Sequence, residues 1–198
     1  MSGLFDNLVI LEATDFLYFN LSWSNGEALI QIKKSALSFI KDFATSSVHI
    51  SSQIINPIFN FLNLIHSRYE ISDSYFKSAQ SDAFDSDHSN GKIINSTSAN
   101  IGNDAVDFSG SIAELFDLSF DGVGDKVLSA GEMSKISGNN IDIMNTEIGI
   151  TSKDLSEVSL TDLKIKDTRL GFAVFQKKEE YGVGQASING LEMTNVDL

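Results

Sequence analysis

Short segments in which apolar and polar residues alternate recur along this chain at nearly constant spacing. Six segments align, and they begin at residues 60, 82, 104, 125, 148 and 170, so successive starts are 22, 22, 21, 23 and 22 residues apart. Turns rich in Gly, Asn and Asp separate them. A period of about 20 to 30 residues built from short β-type segments is typical of a solenoid. The pattern therefore predicts an all-β solenoid with coils of about 22 residues.

Reading the aligned segments position by position separates the inside from the outside. The third position is always apolar and holds Leu62, Phe84, Val106, Val127, Ile150 and Phe172. The fifth position is small or apolar and holds Leu64, Ser86, Phe108, Ser129, Ser152 and Val174. The fourth position lies between them and holds Asn63, Asp85, Asp107, Leu128, Thr151 and Ala173. Such alternation indicates a strand with one face turned inward.

A second strand in each coil repeats with the same step. Its apolar residues Ile136, Ile141 and Ile143 correspond to Val158, Leu163 and Ile165, and the last two correspond to Leu191 and Met193. The first of these steps is 22 residues, whereas the second is 28. The surplus of six residues predicts that the polar, Gly-containing segment 176–184 bulges from one coil as a loop.

The repeat predicts a single domain over residues 1–198, with regular coils over 59–198 and irregular N-terminal coils or a cap over 1–58. Residues 28–44 leave two interpretations open. Their apolar positions fit a helix that caps the solenoid, yet stretches such as Ile30-Gln-Ile32 alternate as strands do.

Composition agrees with this fold and excludes several classes of function. Fourteen Phe residues suit a continuous stacked core, and a single Pro leaves its ladders uninterrupted. The net charge of −13 argues against nucleic acid as a partner, because phosphate backbones require a basic surface. The absence of cysteine excludes disulfides and thiolate metal sites.

The N-terminus lacks a basic region followed by an apolar run, so no signal peptide is visible. The most apolar window, residues 54–65, is too short and too polar to span a bilayer, and we expect no membrane insertion. The chain is therefore either intracellular or a piece of a longer exported protein. We favour the second interpretation and expect an extracellular or cell-surface location, with neighbouring domains of the longer chain as partners.

Four phrases carry a resemblance to a known superfamily. They are Ser81-Asp-Ala-Phe-Asp-Ser-Asp-His-Ser-Asn-Gly91, Gly102-Asn-Asp-Ala-Val-Asp-Phe-Ser-Gly-Ser111, Gly124-Asp-Lys126 and Gly149-Ile-Thr-Ser-Lys-Asp154. Together they resemble right-handed parallel β-helix proteins of the pectate-lyase-like superfamily, closest to uncharacterised bacterial members. The resemblance covers roughly residues 58–198. It implies a three-faced parallel solenoid, often exported and often associated with polysaccharides. Because the superfamily includes lyases, hydrolases, epimerases and non-catalytic surface proteins, the fold alone does not indicate the activity.

The strongest functional candidates are aspartates at equivalent positions of neighbouring coils. Coils of a solenoid lie about 4.8 Å apart, so Asp85 and Asp107 are expected to project side by side above Asn63. Two carboxylates at this separation repel each other, which raises one pKa or recruits a cation such as Ca²⁺. Paired carboxyl groups with a raised pKa also serve acid–base chemistry on sugars.

A second acidic stack is predicted at the strand entrance, where Asp82, Asp104 and Asp125 occupy equivalent positions. Asp82 and Asp104 are therefore further candidate Ca²⁺ ligands. The alternative is that these carboxylates accept hydrogen bonds from backbone N–H groups of the turns, as Asp residues commonly do.

Two histidines, His66 and His88, are also 22 residues apart, and Gly110 follows at the next equivalent position. Zinc and copper sites use pairs of this kind. With no third histidine in the series, a solvated turn is the favoured interpretation over a metal site.

The positions of the arginines argue against catalysis of the pectate-lyase type. The resemblance implies that a pectate lyase would present an arginine beside its calcium carboxylates, yet Arg68 and Arg169 fall at different parts of the repeat. The leading hypothesis is therefore a non-catalytic module that binds polysaccharide, a divalent cation, or both. The alternative is a polysaccharide lyase, hydrolase or epimerase that acts on acidic polysaccharide through Asp85, Asp107 and Lys126. A third hypothesis is a purely structural spacer.

Overall fold

The structure is a computed structural model of the chain. It describes residues 18–24, 27–33, 40–41, 47–50, 53–55 and 62–197, with side chains only in the last of these ranges. Every regular element among these residues is a β-strand. The described part of the chain contains no helix long and apolar enough to cross a membrane.

The strands are β1 (Tyr18–Ser24), β2 (Glu27–Lys33), β3 (Ile40–Lys41), β4 (Ser47–Ile50), β5 (Gln53–Ile55), β6 (Leu62–Ile65), β7 (Arg68–Ser72), β8 (Tyr75–Lys77), β9 (Phe84–Asp87), β10 (Asn90–Ile101), β11 (Val106–Ser109), β12 (Ile112–Val123), β13 (Lys126–Gly131), β14 (Lys135–Met144), β15 (Ile148–Lys153), β16 (Glu157–Phe175) and β17 (Gln185–Asp197).

Strands one coil apart pair in parallel. From β6 onwards β9 pairs with β6, β11 with β9, β13 with β11 and β15 with β13, while β10, β12, β14, β16 and β17 pair in the same succession. Among the described pairings only β1 with β2 is antiparallel. The predicted all-β parallel solenoid with coils of about 22 residues is therefore confirmed.

Each coil has three faces. Face A consists of β6, β9, β11, β13, β15 and residues 170–175 of β16, while the remaining strands of each coil form faces B and C in chain order. We number the coils 1 to 6 by the inward residue that begins the core on face A, namely Leu62, Phe84, Val106, Leu128, Ile150 and Phe172.

The sequence alignment was wrong by one residue in the fourth segment. Val106 pairs with Leu128 rather than Val127, and Asp107 pairs with Ser129 rather than Leu128. The step on face A is therefore 22 residues at every coil, and Ser129 points outward. The alignment had matched Asp125 to Asp104 because both are aspartates.

Hydrogen bonds from the backbone explain the true register. The N–H of Asp104 donates to Asp82 Oδ1 at 2.9 Å, and the N–H of Lys126 donates to Asp104 Oδ1 at 3.1 Å. Each carboxylate thus receives the amide 22 residues further on. Lys126, and not Asp125, follows Asp104 in this stack. The interpretation of Asp82 and Asp104 as acceptors of backbone N–H groups is confirmed.

The other sequence predictions about the repeat agree with the register. The second strand pairs as expected from Ile136 with Val158 to Ile143 with Ile165. Residues 176–184 form the loop that accommodates the surplus before β17. In the ambiguous segment 28–44, the described residues belong to strands β2 and β3, and the remainder lies outside the described residues.

Aromatic rings pack edge to face along the core. Phe84 lies between Tyr69 and Phe108, with ring centroids 5.2 and 6.1 Å away. Gly91 faces the same core, and a Cβ built there would lie 2.4 Å from Tyr69 Cδ2. The glycine therefore provides the room that the tyrosine ring fills.

A line of buried serines supports the corner between faces A and B. Its members are Ser67, Ser89, Ser111, Ser134 and Ser156, all less than a tenth exposed. The backbone N–H of each of the first four donates to the hydroxyl oxygen of the next, at 2.9, 3.0, 3.0 and 3.1 Å. These hydroxyls satisfy amides that a tight corner leaves without a strand partner. We call this line the serine spine.

The corner between faces B and C alternates carboxylate and amide side chains. It holds Asp73, Asn95, Asp117, Asn140 and Asp162, all with positive φ. Asn95 Nδ2 donates to Asp73 Oδ1 at 2.6 Å, and Asn140 Nδ2 donates to Asp117 Oδ1 at 2.7 Å. Asn and Asp tolerate the left-handed conformation well, and the alternation keeps like charges from stacking directly.

We predict that Ser111→Ala lowers the free energy of unfolding by about 1–3 kcal/mol, because it leaves the buried N–H of Ser89 without an acceptor. Ser159→Ala, at an exposed position on face B, serves as the control and should change stability little. Urea unfolding monitored by circular dichroism measures both. Equal stability of Ser111→Ala and the parent would show that the spine contributes nothing.

Candidate functional site

The outward surface of face A gathers carboxylates in coils 2 and 3. They are Asp82, Asp85, Asp87, Asp104 and Asp107. Asp85 and Asp107 occupy paired positions on β9 and β11, and Asn63 takes the equivalent position on β6. The parallel register therefore places the two carboxylates side by side, as the repeat had predicted. We call the outward column Asn63, Asp85, Asp107, Ser129 and Thr151 the polar column.

Lys126 does not join this pair of aspartates. Its Nζ lies 3.2 Å from Asp104 Oδ1 and also contacts the carboxylate of Asp125. The ammonium is thus held at the strand entrance by carboxylates of its own and the preceding coil. The proposed catalytic trio of Asp85, Asp107 and Lys126 is not brought together in this arrangement.

Two of the carboxylates have perturbed titration. Burial raises the pKa of Asp104 to about 6, an effect that the ammonium of Lys126 opposes and the charge of Asp107 reinforces. Burial also raises the pKa of Asp87, and the charge of Asp107 adds to the effect.

A lysine that the sequence reasoning did not assign to this site reaches it from coil 5. Lys153 is only 8% exposed, its Nζ donates to Ser129 Oγ at 2.6 Å, and the same Nζ lies 3.7 Å from Asp107 Oδ1. The side chain crosses Gly131, where a built Cβ would come within 2.8 Å of Lys153 Cε. Because Gly131 has no side chain, the Lys153 side chain has room to lie across the sheet.

This contact could have been found from the sequence with the correct register. A uniform step of 22 residues places Gly131 under Lys153 and Ser129 beside Asp107. The alignment that began the fourth segment at residue 125 concealed both relations.

Several buried oxygen atoms of the polar column accept no hydrogen bond from the described residues, and one of them, Asp107 Oδ1, has only the ammonium of Lys153 at 3.7 Å. Asn63 Oδ1, Asp107 Oδ1 and Thr151 Oγ1 make no hydrogen bond to any part of the chain that the structure describes. Buried polar atoms are nearly always paired with protein, water or ligand. The column therefore offers hydrogen-bonding capacity that the described part of the fold does not use.

The two histidines form a corner stack. His66 and His88 have positive φ and stack with ring centroids 5.3 Å apart and planes 13° from parallel. Gly110 continues the series, and the His88 ring lies over it. Within the described residues, no group of three or more His, Cys, Asp or Glu is arranged to hold a metal ion. A preformed metal cage is therefore not part of the described site.

Comparison of the chain with models of protein families, with curated proteins and with solved structures found no match.

The raised pKa of Asp104 predicts a pH dependence of stability. The folded protein binds this proton at higher pH than the unfolded chain, so this group makes the free energy of unfolding fall as pH rises from about 4 to about 6. Asp104→Asn keeps an oxygen for the N–H of Lys126 and should remove that component of the slope.

Urea unfolding at several pH values across this window measures the effect. Glu192→Gln, an exposed acid on the last coil, is the control and should leave the slope unchanged. An identical slope in the parent and in Asp104→Asn would contradict the assignment.

Proposed function

We propose that this chain is a non-catalytic β-solenoid module of a bacterial exported or cell-surface protein of the pectate-lyase-like type, and that face A binds polysaccharide. The observation that carries the proposal is the polar column, in which Asp85 and Asp107 are adjacent while buried oxygens of Asn63, Asp107 and Thr151 accept no hydrogen bond within the described residues.

The chemistry of the column suits a carbohydrate. Sugar hydroxyls can both donate and accept, so they can serve carboxylate, amide and hydroxyl oxygens in turn. Hydrogen bonds to an ionised carboxylate are about twice as strong as neutral ones, which gives Asp85 and Asp107 the main part of the affinity. A linear polymer lying along the solenoid axis would meet Asn63, Asp85 and Asp107 about 4.8 Å apart, whereas Ser129 and Thr151 further along the column are fully buried.

A divalent cation is the second element of the proposal. Asp85 and Asp107 would supply two carboxylates, and Asp82 and Asp104 each use Oδ1 for a backbone N–H while keeping Oδ2 for another partner. Ca²⁺ takes six to eight oxygen ligands and accepts water among them. A hydrated ion on this face would complete its coordination with oxygens of an acidic sugar, which supports a bridging role.

The placement of the cationic side chains favours binding over catalysis. Lys126 is occupied by two carboxylates. Arg68 begins β7 on face B, and Arg169 pairs with Glu147. None of these residues is placed beside Asp107 as a base for proton abstraction.

One observation favours an enzyme as the second candidate. The ammonium of Lys153 lies 3.7 Å from Asp107 Oδ1 in a largely buried environment. A lysine and a carboxylate in contact are a combination that acid–base chemistry on acidic sugars can use. Incubation with polygalacturonate and alginate, monitored by absorbance of unsaturated ends and by reducing sugar, tests it. Turnover that Lys153→Met abolishes would replace the binding proposal.

The binding proposal predicts that Asp107→Asn weakens retention on acidic polysaccharides by about tenfold or more, the loss expected for a hydrogen bond to a charged group. Titration calorimetry with oligogalacturonate and oligoalginate, each with Ca²⁺ and with a chelator, measures it. Glu114→Gln removes a carboxylate paired with Lys92 on face B and is the matched control.

The titrations with Ca²⁺ and with a chelator distinguish direct recognition of the polysaccharide from recognition through a bridging cation. Binding that persists with the chelator supports direct recognition, and binding lost with the chelator supports a bridging cation. No binding of the parent chain to either polymer, across a wider glycan panel as well, would refute the proposal.

A further inference from the structure

Insertions accumulate at one corner of the solenoid. Along the serine spine the step is 22 residues from Ser89 to Ser111 and 23 from Ser111 to Ser134, and it is 28 from Ser156 to Gly184 at the corresponding corner of coil 6. Insertions in repeat proteins tend to collect on one face, which is often the face that binds a partner. The corner between faces A and B in coils 3 to 6 is therefore a candidate interaction surface.

Exposed apolar side chains collect at this corner, one from each of four successive coils. They are Ile112, Met133, Leu155 and Val183, which are 55, 56, 46 and 55% exposed. We call this set the corner ridge. Contiguous exposed apolar surface of this kind marks interaction sites more often than scattered single residues do.

Two members of the corner ridge are held in an unfavourable backbone conformation. Met133 and Leu155 have φ of 62° and 60°, a region that bulky side chains rarely adopt. Their N–H groups donate to Asp154 O at 2.8 Å and Gly182 O at 3.0 Å, which fixes both residues outward. Strain that is kept in place by the surrounding structure is characteristic of functional positions.

Charges beside the corner ridge have opposite signs in adjacent coils. Lys135 in coil 4 and Glu157 in coil 5 begin paired strands on face B, and they are 62 and 56% exposed. Their mutual distance of 3.7 Å in such an exposed position contributes little to stability. Both groups thus remain available to a partner.

We propose that the corner ridge packs against the corner ridge of a second copy of this chain, with the two solenoids antiparallel. A two-fold axis that is perpendicular to the solenoid axis, and that passes between coils 4 and 5, exchanges those two coils. Met133 then faces the partner's Leu155, and Lys135 faces the partner's Glu157. The same operation exchanges coils 3 and 6 and brings Ile112 near the partner's Gln185, which takes its register position, with Val183 two residues before it.

The corner ridge and its neighbouring charges are complementary to themselves, which favours a second copy of the chain as the partner. An isologous interface requires that residue i meets residue j while residue j meets residue i. Met133 and Leu155 satisfy this requirement in coils 4 and 5, and so do the charges of Lys135 and Glu157. A net charge of −13 opposes association at long range, but salt screens that repulsion beyond about 8 Å at physiological ionic strength.

The experiment is sedimentation velocity of the whole chain over a concentration series at about 0.15 M salt. We expect a monomer–dimer equilibrium for the parent. Met133→Asn and Leu155→Asn should each weaken the dimer by about tenfold or more, as expected for central residues of an interface. Because Asn tolerates positive φ better than Met or Leu, both variants should keep the fold. Leu191→Asn, at an exposed apolar position on the last coil, is the control and should dimerise normally.

Exchange of the charges tests the orientation. Lys135→Glu alone and Glu157→Lys alone should each place like charges opposite one another and weaken the dimer. A mixture of these two variants should form a heterodimer, and the double variant Lys135→Glu/Glu157→Lys should dimerise as the parent does. A parent chain that remains monomeric at all concentrations would overturn the proposal, as would a dimer that none of these substitutions affects. Glycan binding at face A is measured separately and does not depend on this result.

Discussion

Backbone hydrogen bonding between residues 22 positions apart is the constraint on which the rest of this molecule depends. On face A the parallel ladder keeps the same step from Leu62 to Phe172, so equivalent side chains lie directly above one another. The continuous edge-to-face packing of Phe84 and Phe108 follows from this step. So does the pairing of Asp85 with Asp107, which would otherwise be unrelated residues.

The corners differ from the strands in how their backbone amides are hydrogen-bonded. A turn leaves amides without strand partners, and in this chain side chains take over that role. Between faces A and B the hydroxyls of the serine spine accept the amides of the coil before, and at the strand entrance Asp82 and Asp104 accept the amides of the coil after. Much of the acidic character of the chain is therefore structural, because carboxylates at corners receive hydrogen bonds from amides and from Asn side chains.

The polar column and the corner ridge are chemically different surfaces. The polar column on face A lies on regular strands and contains oxygen atoms that accept no hydrogen bond within the described residues, which suits a hydroxyl-rich ligand. The corner ridge lies where the repeat lengthens and exposes apolar groups, which suits another protein surface. The same regular frame supports both, because it fixes their spacing along the axis while the corners absorb insertions. A ligand on one surface and a second copy on the other would not compete.

The sequence by itself determined the solenoid, its period, the inward positions outside the fourth segment and the loop at 176–184, because each of these depends on a local alternation or a spacing that repeats along the chain. It also predicted that Asp85 and Asp107 would be neighbours. Only the tertiary structure decided the register of the fourth segment, since residue type favoured Asp125 whereas the backbone ladder selected Lys126. It also showed which lysine approaches Asp107, because that contact requires the register that places Gly131 under Lys153 and a long side chain extended across two coils.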